Sequence, residues 1–174
     1  MSAMLLAQQV LNGLLDGVYY LLIALGLSLI FSLGGIVNLA HGAFYALGAY
    51  ISVEITKYLG FGSAVVLSPV AVGLLGILFE RFILRRFYDA DPILSLLVTF
   101  GLAMVAEQMI RIVWGAAPLS ASMPAALKGA VFLGDFLFSR YRLLLLAIVA
   151  VVLTAVWLLL HKTSFGRVVR AGIQ

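Results

Sequence analysis

No cysteine occurs in the 174 residues, so disulfides and thiolate metal sites are excluded, although this absence does not choose between redox compartments. Charge is scarce as well. Only 10% of residues are Asp, Glu, Lys or Arg against 64% hydrophobic, and the mean hydropathy is +1.19, which excludes an ordinary soluble domain. The extreme N-terminus has no Lys or Arg and the first apolar stretch is too long for a cleaved leader, so it reads as a retained span. No low-complexity tract or internal repeat is present. No nucleophile, base and orienting group can be assembled, so catalysis is not expected, nor is a metal or cofactor site. Lys162-Thr163 imitates the end of a phosphate-binding loop, but Leu160 and His161 stand where glycine is needed, so the chain itself should not bind nucleotide. Eleven Lys and Arg outnumber seven Asp and Glu, giving a formal +4. They cluster at the ends of apolar runs, which makes them topology signals and not a nucleic-acid surface.

What remains is hydrocarbon in long runs. The expected fold is all-α: a polytopic helical membrane protein with about five hydrophobic segments, since each run reaches the roughly 20 residues a helical span needs. The segments run from about Leu14 to Leu33, Ile36 to Ile55, Ser63 to Phe79, Ile93 to Trp114 and Tyr141 to Leu160. Pro69 falls in the first turns of the third, where a missing backbone donor costs least. Between the third and fourth lies an amphipathic basic connector with Arg81, Arg85 and Arg86, and Pro92 restarts the helix. Residues 115–140 read as an extramembrane loop with an interfacial turn near Val131. Five full crossings would put Arg81, Arg85, Arg86, Lys162, Arg167 and Arg170 in the cytoplasm and the N-terminus outside. A broken or re-entrant second segment would invert the placement of the N-terminus.

The second segment is the most informative. Residues 34–50 put an amide, an imidazole and four glycines into sequence that otherwise reads as membrane. On a continuous helix Gly34, Asn38, His41, Gly42, Tyr45, Gly48 and Ala49 would share one face, which lipid would not tolerate. That face should meet protein or a water-filled path. Asn38 reads best as an interhelical clasp, whereas His41 fits a clasp and a pathway role equally. Gly42 is expected at a close helix contact. Glu107 and Arg111, four residues apart with Trp114 nearby, read as an interfacial anchoring pair. Gly13 and Gly17 around Asp16 form a weak small-xxx-small motif.

Gly17-Val18-Tyr19-Tyr20-Leu21-Leu22-Ile23-Ala24-Leu25-Gly26-Leu27-Ser28 followed by Asn38-Leu39-Ala40-His41-Gly42-Ala43-Phe44-Tyr45 and Leu47-Gly48-Ala49-Tyr50 resembles the permease subunits of bacterial branched-chain amino-acid ABC importers, and in particular the H-type subunit. Leu97-Val98-Thr99-Phe100-Gly101-Leu102 and Thr163-Ser164-Phe165-Gly166-Arg167-Val168-Val169-Arg170-Ala171 agree in order and approximate spacing. Some relatives carry an acidic residue where this chain has Ala43.

The resemblance implies a subunit of the bacterial inner membrane that forms part of a translocation pathway. Its implied partners are a sister permease subunit, two cytoplasmic ATPase subunits, a periplasmic solute-binding protein and the lipid bilayer. Asn38, His41, Gly42, Tyr45, Thr99 and Gly101 become candidates for lining or packing the pathway. Gly166, Arg167, Arg170 and Ala171 become candidates for a coupling segment that docks on the ATPase. Members of the family continue with further spans, so residues 1–174 are expected to correspond to a single transmembrane domain cut within the coupling segment. Import of urea, amides or other small solutes, a secondary transporter or channel, and a nonfunctional fragment are the alternatives.

Overall fold

A computed structural model describes residues 3–88, 90–120, 124–133, 136–163 and 166. Five α-helices dominate: α1 (Ala3–Gly34), α2 (His41–Leu59), α3 (Phe61–Phe82), α4 (Pro92–Trp114) and α5 (Arg140–Lys162). Two short 3₁₀ turns, Leu84–Phe87 and Ala125–Leu127, and one hairpin complete the order. The described residues fall into two compact units, one of residues 34–123 and one of residues 1–33 with 124–174.

Four stretches are long and apolar enough to cross a bilayer: Leu5–Ser32, Phe61–Phe87, Pro92–Trp114 and Arg140–Lys162. The fifth expected span differs. Ile36 to Ala40 is not helical, and α2, which starts at His41 and carries Glu54 and Lys57, is too polar to join the other four. The cause is local. Gly35 takes φ +63°, a left-handed conformation that ends α1 and that a glycine reaches at little steric cost. Polarity across the helices is reversed relative to a water-soluble protein. Leu21, Phe31, Leu74, Ile77, Leu97, Ile112 and Val151 are exposed, while Ser68, Ser95 and Thr99 are buried. Hydrocarbon accepts the former without cost, and the hydroxyls need partners inside the protein.

In the unit of residues 34–123, α2 and α3 form a helical hairpin joined at Gly60 alone, whose φ of +85° reverses the chain. Their crossing is close at Gly48, where an added Cβ would lie 3.3 Å from Val72 Cγ2. At the same point the Ser68 hydroxyl donates to the Gly48 carbonyl at 2.9 Å, an interhelical bond made available by the missing side chain. Phe44 and Phe79 meet with ring centroids 5.6 Å apart, and Tyr50 on α2 meets Trp114 on α4 at 5.4 Å. Ile36, Phe79 and Leu84 make the buried apolar cluster, with Phe44 and Leu102 packed on it. Pro69 lies inside α3, farther in than the first turn, because the helix begins at Phe61 and not at Ser63. Such prolines are tolerated in membrane helices where neighbours or side chains satisfy the freed backbone. The connector runs as a 3₁₀ turn, and α4 starts as the sequence suggests: Pro92 occupies the first turn and Asp91 Oδ1 accepts the Ile93 amide at 2.9 Å.

In the other unit, Arg142 at the start of α5 donates to Asn12 Oδ1 of α1 at 2.6 Å. The expected interfacial turn is instead an antiparallel hairpin, β1 (Ala130–Leu133) and β2 (Phe136–Ser139), with Ala130 opposite Ser139 and Leu133 opposite Phe136. A Gly-Asp dipeptide between two apolar runs is the sequence signal for it.

Candidate functional site

The stretch between α1 and α2 is the irregular backbone on which the candidate residues converge. From Ile36 to Ala40 burial alternates, with Ile36, Asn38 and Ala40 inside and Val37 and Leu39 outside. Ile36 to Asn38 is irregular chain and Leu39-Ala40 a turn, with Ala40 already at φ −71°, ψ −9°, so no helix runs through the stretch. Backbone in such a conformation leaves donors and acceptors open, and in a membrane these must be satisfied.

Two side chains do so. Asn38 Oδ1 accepts the Ala40 amide at 3.0 Å, and the Asn38 carbonyl accepts the His41 amide at 3.3 Å, so Asn38 turns the chain into α2. Thr99 contributes from α4. Its Oγ1 accepts the Leu39 amide at 3.2 Å, with the Leu96 carbonyl at 3.0 Å and the Val37 carbonyl at 3.3 Å as acceptors for its single proton. Thr99 is fully buried. The arrangement stitches non-helical chain to a spanning helix 60 residues away in sequence.

Asn38, His41 and Thr99 are therefore brought together, with His41 half-buried as the first residue of α2. The side-chain bond of Asn38 found among the described residues is to the Ala40 amide in its own turn and not to another helix. The single polar helical face from Gly34 to Ala49 is not formed either, since the helix begins only at His41. Gly42 and Gly101 are exposed, and a Cβ on either would meet nothing within 4 Å. The close-contact glycine is Gly48, six or seven residues beyond the His41-Gly42 pair, because the helix crossing falls there. Gly13 and Gly17 likewise meet nothing within 4 Å. Tyr45 is exposed. Gly166 is buried against the backbone of Leu160, whereas Arg167, Arg170 and Ala171 lie outside the described residues.

Sequence reasoning missed Ser95, which is buried and donates to the Phe87 carbonyl at 3.1 Å, tying α4 to the connector. The signal was present: Ser95 and Thr99 are four apart and share one face of an apolar helix. Glu107 and Arg111 form the expected ion pair, 2.7 Å apart and exposed. In the connector the Tyr88 hydroxyl donates to Glu80 at 3.1 Å; burial and this carboxylate raise the phenol above its ordinary value, so it remains a neutral donor. Among the described residues no three His, Asp or Glu come together as a metal ion would require.

The fold and this junction define the class: a polytopic helical membrane protein with irregular backbone held against a spanning helix. Residues 9–173 match the family described as branched-chain amino acid transport system / permease component, and the chain belongs to that family. It is a multi-pass protein of the bacterial inner membrane. It is 24% identical over 94% of its length to the high-affinity branched-chain amino acid transport system permease protein BraD of Pseudomonas aeruginosa, covering 58% of that protein. It is 26% identical to the LivH permease protein of Salmonella typhimurium over 74% of this chain and 44% of the relative. The LivH protein of Escherichia coli K12 is 25% identical over 70% of this chain and 42% of its own length. This chain thus spans about half the length of these relatives. No solved structure matches it.

Proposed function

We propose that this chain supplies part of the translocation pathway of an ATP-driven importer of branched-chain amino acids, with the Ile36–Ala40 junction at the pathway wall. The observation that carries this reading is the Thr99 bridge. A membrane protein gains nothing by unwinding a span beside lipid, but unwound backbone next to a half-buried His can offer hydrogen bonds to a polar solute. Asn38 and Thr99 hold the segment open, and His41 contacts the path. ATP hydrolysis falls to separate cytoplasmic subunits, which dock on the segment containing Gly166, Arg167, Arg170 and Ala171. A sister permease completes the pathway and a periplasmic binding protein delivers the solute. The basic residues Lys162, Arg167 and Arg170 put the segment after α5 in the cytoplasm.

The test is leucine uptake into proteoliposomes holding this protein with its sister permease, ATPases and binding protein. Uptake should require ATP and should fall in Thr99→Val and His41→Leu. Uptake without ATPase subunits would establish a secondary transporter instead, and preference for urea over leucine would reassign the solute. Arg167→Ala with Arg170→Ala should reduce co-purification of the ATPase; unchanged recovery would remove the docking role. Because the chain has no cysteine, single cysteines at Ser2 and Lys128 can be labelled from either side to check the membrane orientation.

A further inference from the structure

Helices α2, α3 and α4 border a cavity of about 300 Å³. Its wall is hydrocarbon: Ala43 and Leu47 from α2, Leu75, Phe79 and Ile83 along and just beyond α3, and Ala106 from α4. None of these side chains donates or accepts a hydrogen bond, so the cavity cannot accommodate the ammonium and carboxylate of an amino acid. A hydrocarbon chain meets no such penalty. Between Leu75 and Ile83 the cavity follows α3 for about 12 Å at helical rise. It ends where apolar helix gives way to the basic connector.

Arg81, Arg85 and Arg86 are all exposed at that end. The Arg86 amide donates to the carbonyl of the lining residue Ile83 at 3.3 Å, which puts Arg85 and Arg86 in the turn that ends this side of the cavity, with Arg81 in the last turn of α3. Among the described residues, the carboxylates on this stretch bond to other groups than the arginines. Glu80 accepts from Tyr88, and Asp91 accepts the Ile93 amide. The ion pairs among the described residues are Lys57 with Glu54 and Arg111 with Glu107, neither of which includes these arginines. An apolar slot therefore ends on the stretch of chain that carries three exposed arginines, a pattern complementary to a molecule with one hydrocarbon tail and one anionic head at the membrane surface.

We propose that the cavity and the connector form a binding site for one anionic phospholipid, with an acyl chain along α3 and the phosphate on Arg81, Arg85 and Arg86. The site is independent of which solute is transported. Its occupant would fill space between the helices that carry the Thr99 bridge and would link the packing of that unit to the lipid composition of the surrounding leaflet.

The test is native mass spectrometry of the full-length protein released from detergent micelles containing equal phosphatidylglycerol and phosphatidylcholine. One phosphatidylglycerol per chain should survive at least tenfold in excess over phosphatidylcholine. Replacing the three arginines by Gln should lower phosphatidylglycerol retention by about fivefold for each charge removed, and replacing them by Lys should largely preserve it. Ala106→Leu should reduce retention by filling the slot. The unmodified protein gives a second check that does not depend on that variant folding: lysophosphatidylglycerol should displace the bound lipid, and its chainless glycerophosphoglycerol headgroup should not. Equal retention of the two lipids would overturn the proposal. So would equal displacement by the headgroup alone, which would reduce the connector to a general anion-attracting surface. Exclusion of lipid in the assembled importer would assign the slot to protein packing and overturn it as well.

Discussion

Two helices of the same unit begin in opposite ways. The start of α4 is a local event: Asp91 accepts the Ile93 amide, Pro92 fixes the first helical turn, and every residue involved lies within three positions. At α2, by contrast, no side chain caps the helix, and the approach is held by Asn38 within the turn and by Thr99 from another helix. A helix start that serves only to begin a span can be encoded in one tripeptide. One that must hold unwound chain inside a membrane protein needs a partner placed by tertiary structure, because nearby residues are themselves part of the unwound chain.

The contrast breaks most readily at the two residues that hold the α2 junction. Asn38→Ala removes one buried acceptor and should cost about 1.5 kcal/mol in SDS or urea unfolding, with the hydrogen-exchange change confined to residues 38–41. Thr99→Val keeps the shape but leaves the Leu39 amide without its part-buried partner, and should cost about 1 kcal/mol in the same unfolding measurement. Hydrogen exchange should accelerate at Leu39 while the first turn of α4 keeps its protection. Exchange rising only in α4 would show that Thr99 does not hold the junction. Asp91→Ala should cost about 1 kcal/mol and leave the α2 junction untouched, while Asp91→Asn should be nearly neutral, since either residue caps. Coupling between Asp91→Ala and Thr99→Val beyond additivity would mean that the two starts are not separate devices. The smallest effect belongs to the exposed Glu107–Arg111 pair: Glu107→Gln should change stability by about 0.3 kcal/mol and lose even that at high salt.

The same contrast explains what was legible before the structure. Asp91-Pro92, the Glu107–Arg111 spacing and the basic connector are short-range patterns, and each is found where the sequence puts it. The Asn38–His41 stretch stands out by its residues, and of the two geometries the sequence allows, a continuous polar helix and a broken one, the broken one is found. A 3.6-residue pattern assumes unbroken helix, and Gly35 breaks it. Gly42 was taken for the contact glycine, where Gly48 has the neighbour, because nothing in the local sequence states how far along α2 the α3 crossing falls.

By itself the sequence determined the long apolar helices, the restart of α4 at Pro92 and the family resemblance. All of these follow from residue chemistry acting over one or two helical turns, or from the length needed to cross hydrocarbon. Only the tertiary structure decided that α2 begins at His41, that Ser68 bonds the backbone exposed by Gly48, and that Thr99 satisfies the chain at Val37 and Leu39. The physical reason is that a buried backbone donor must find an acceptor, and in a membrane that acceptor can come from any helix the packing brings near, at any distance along the chain.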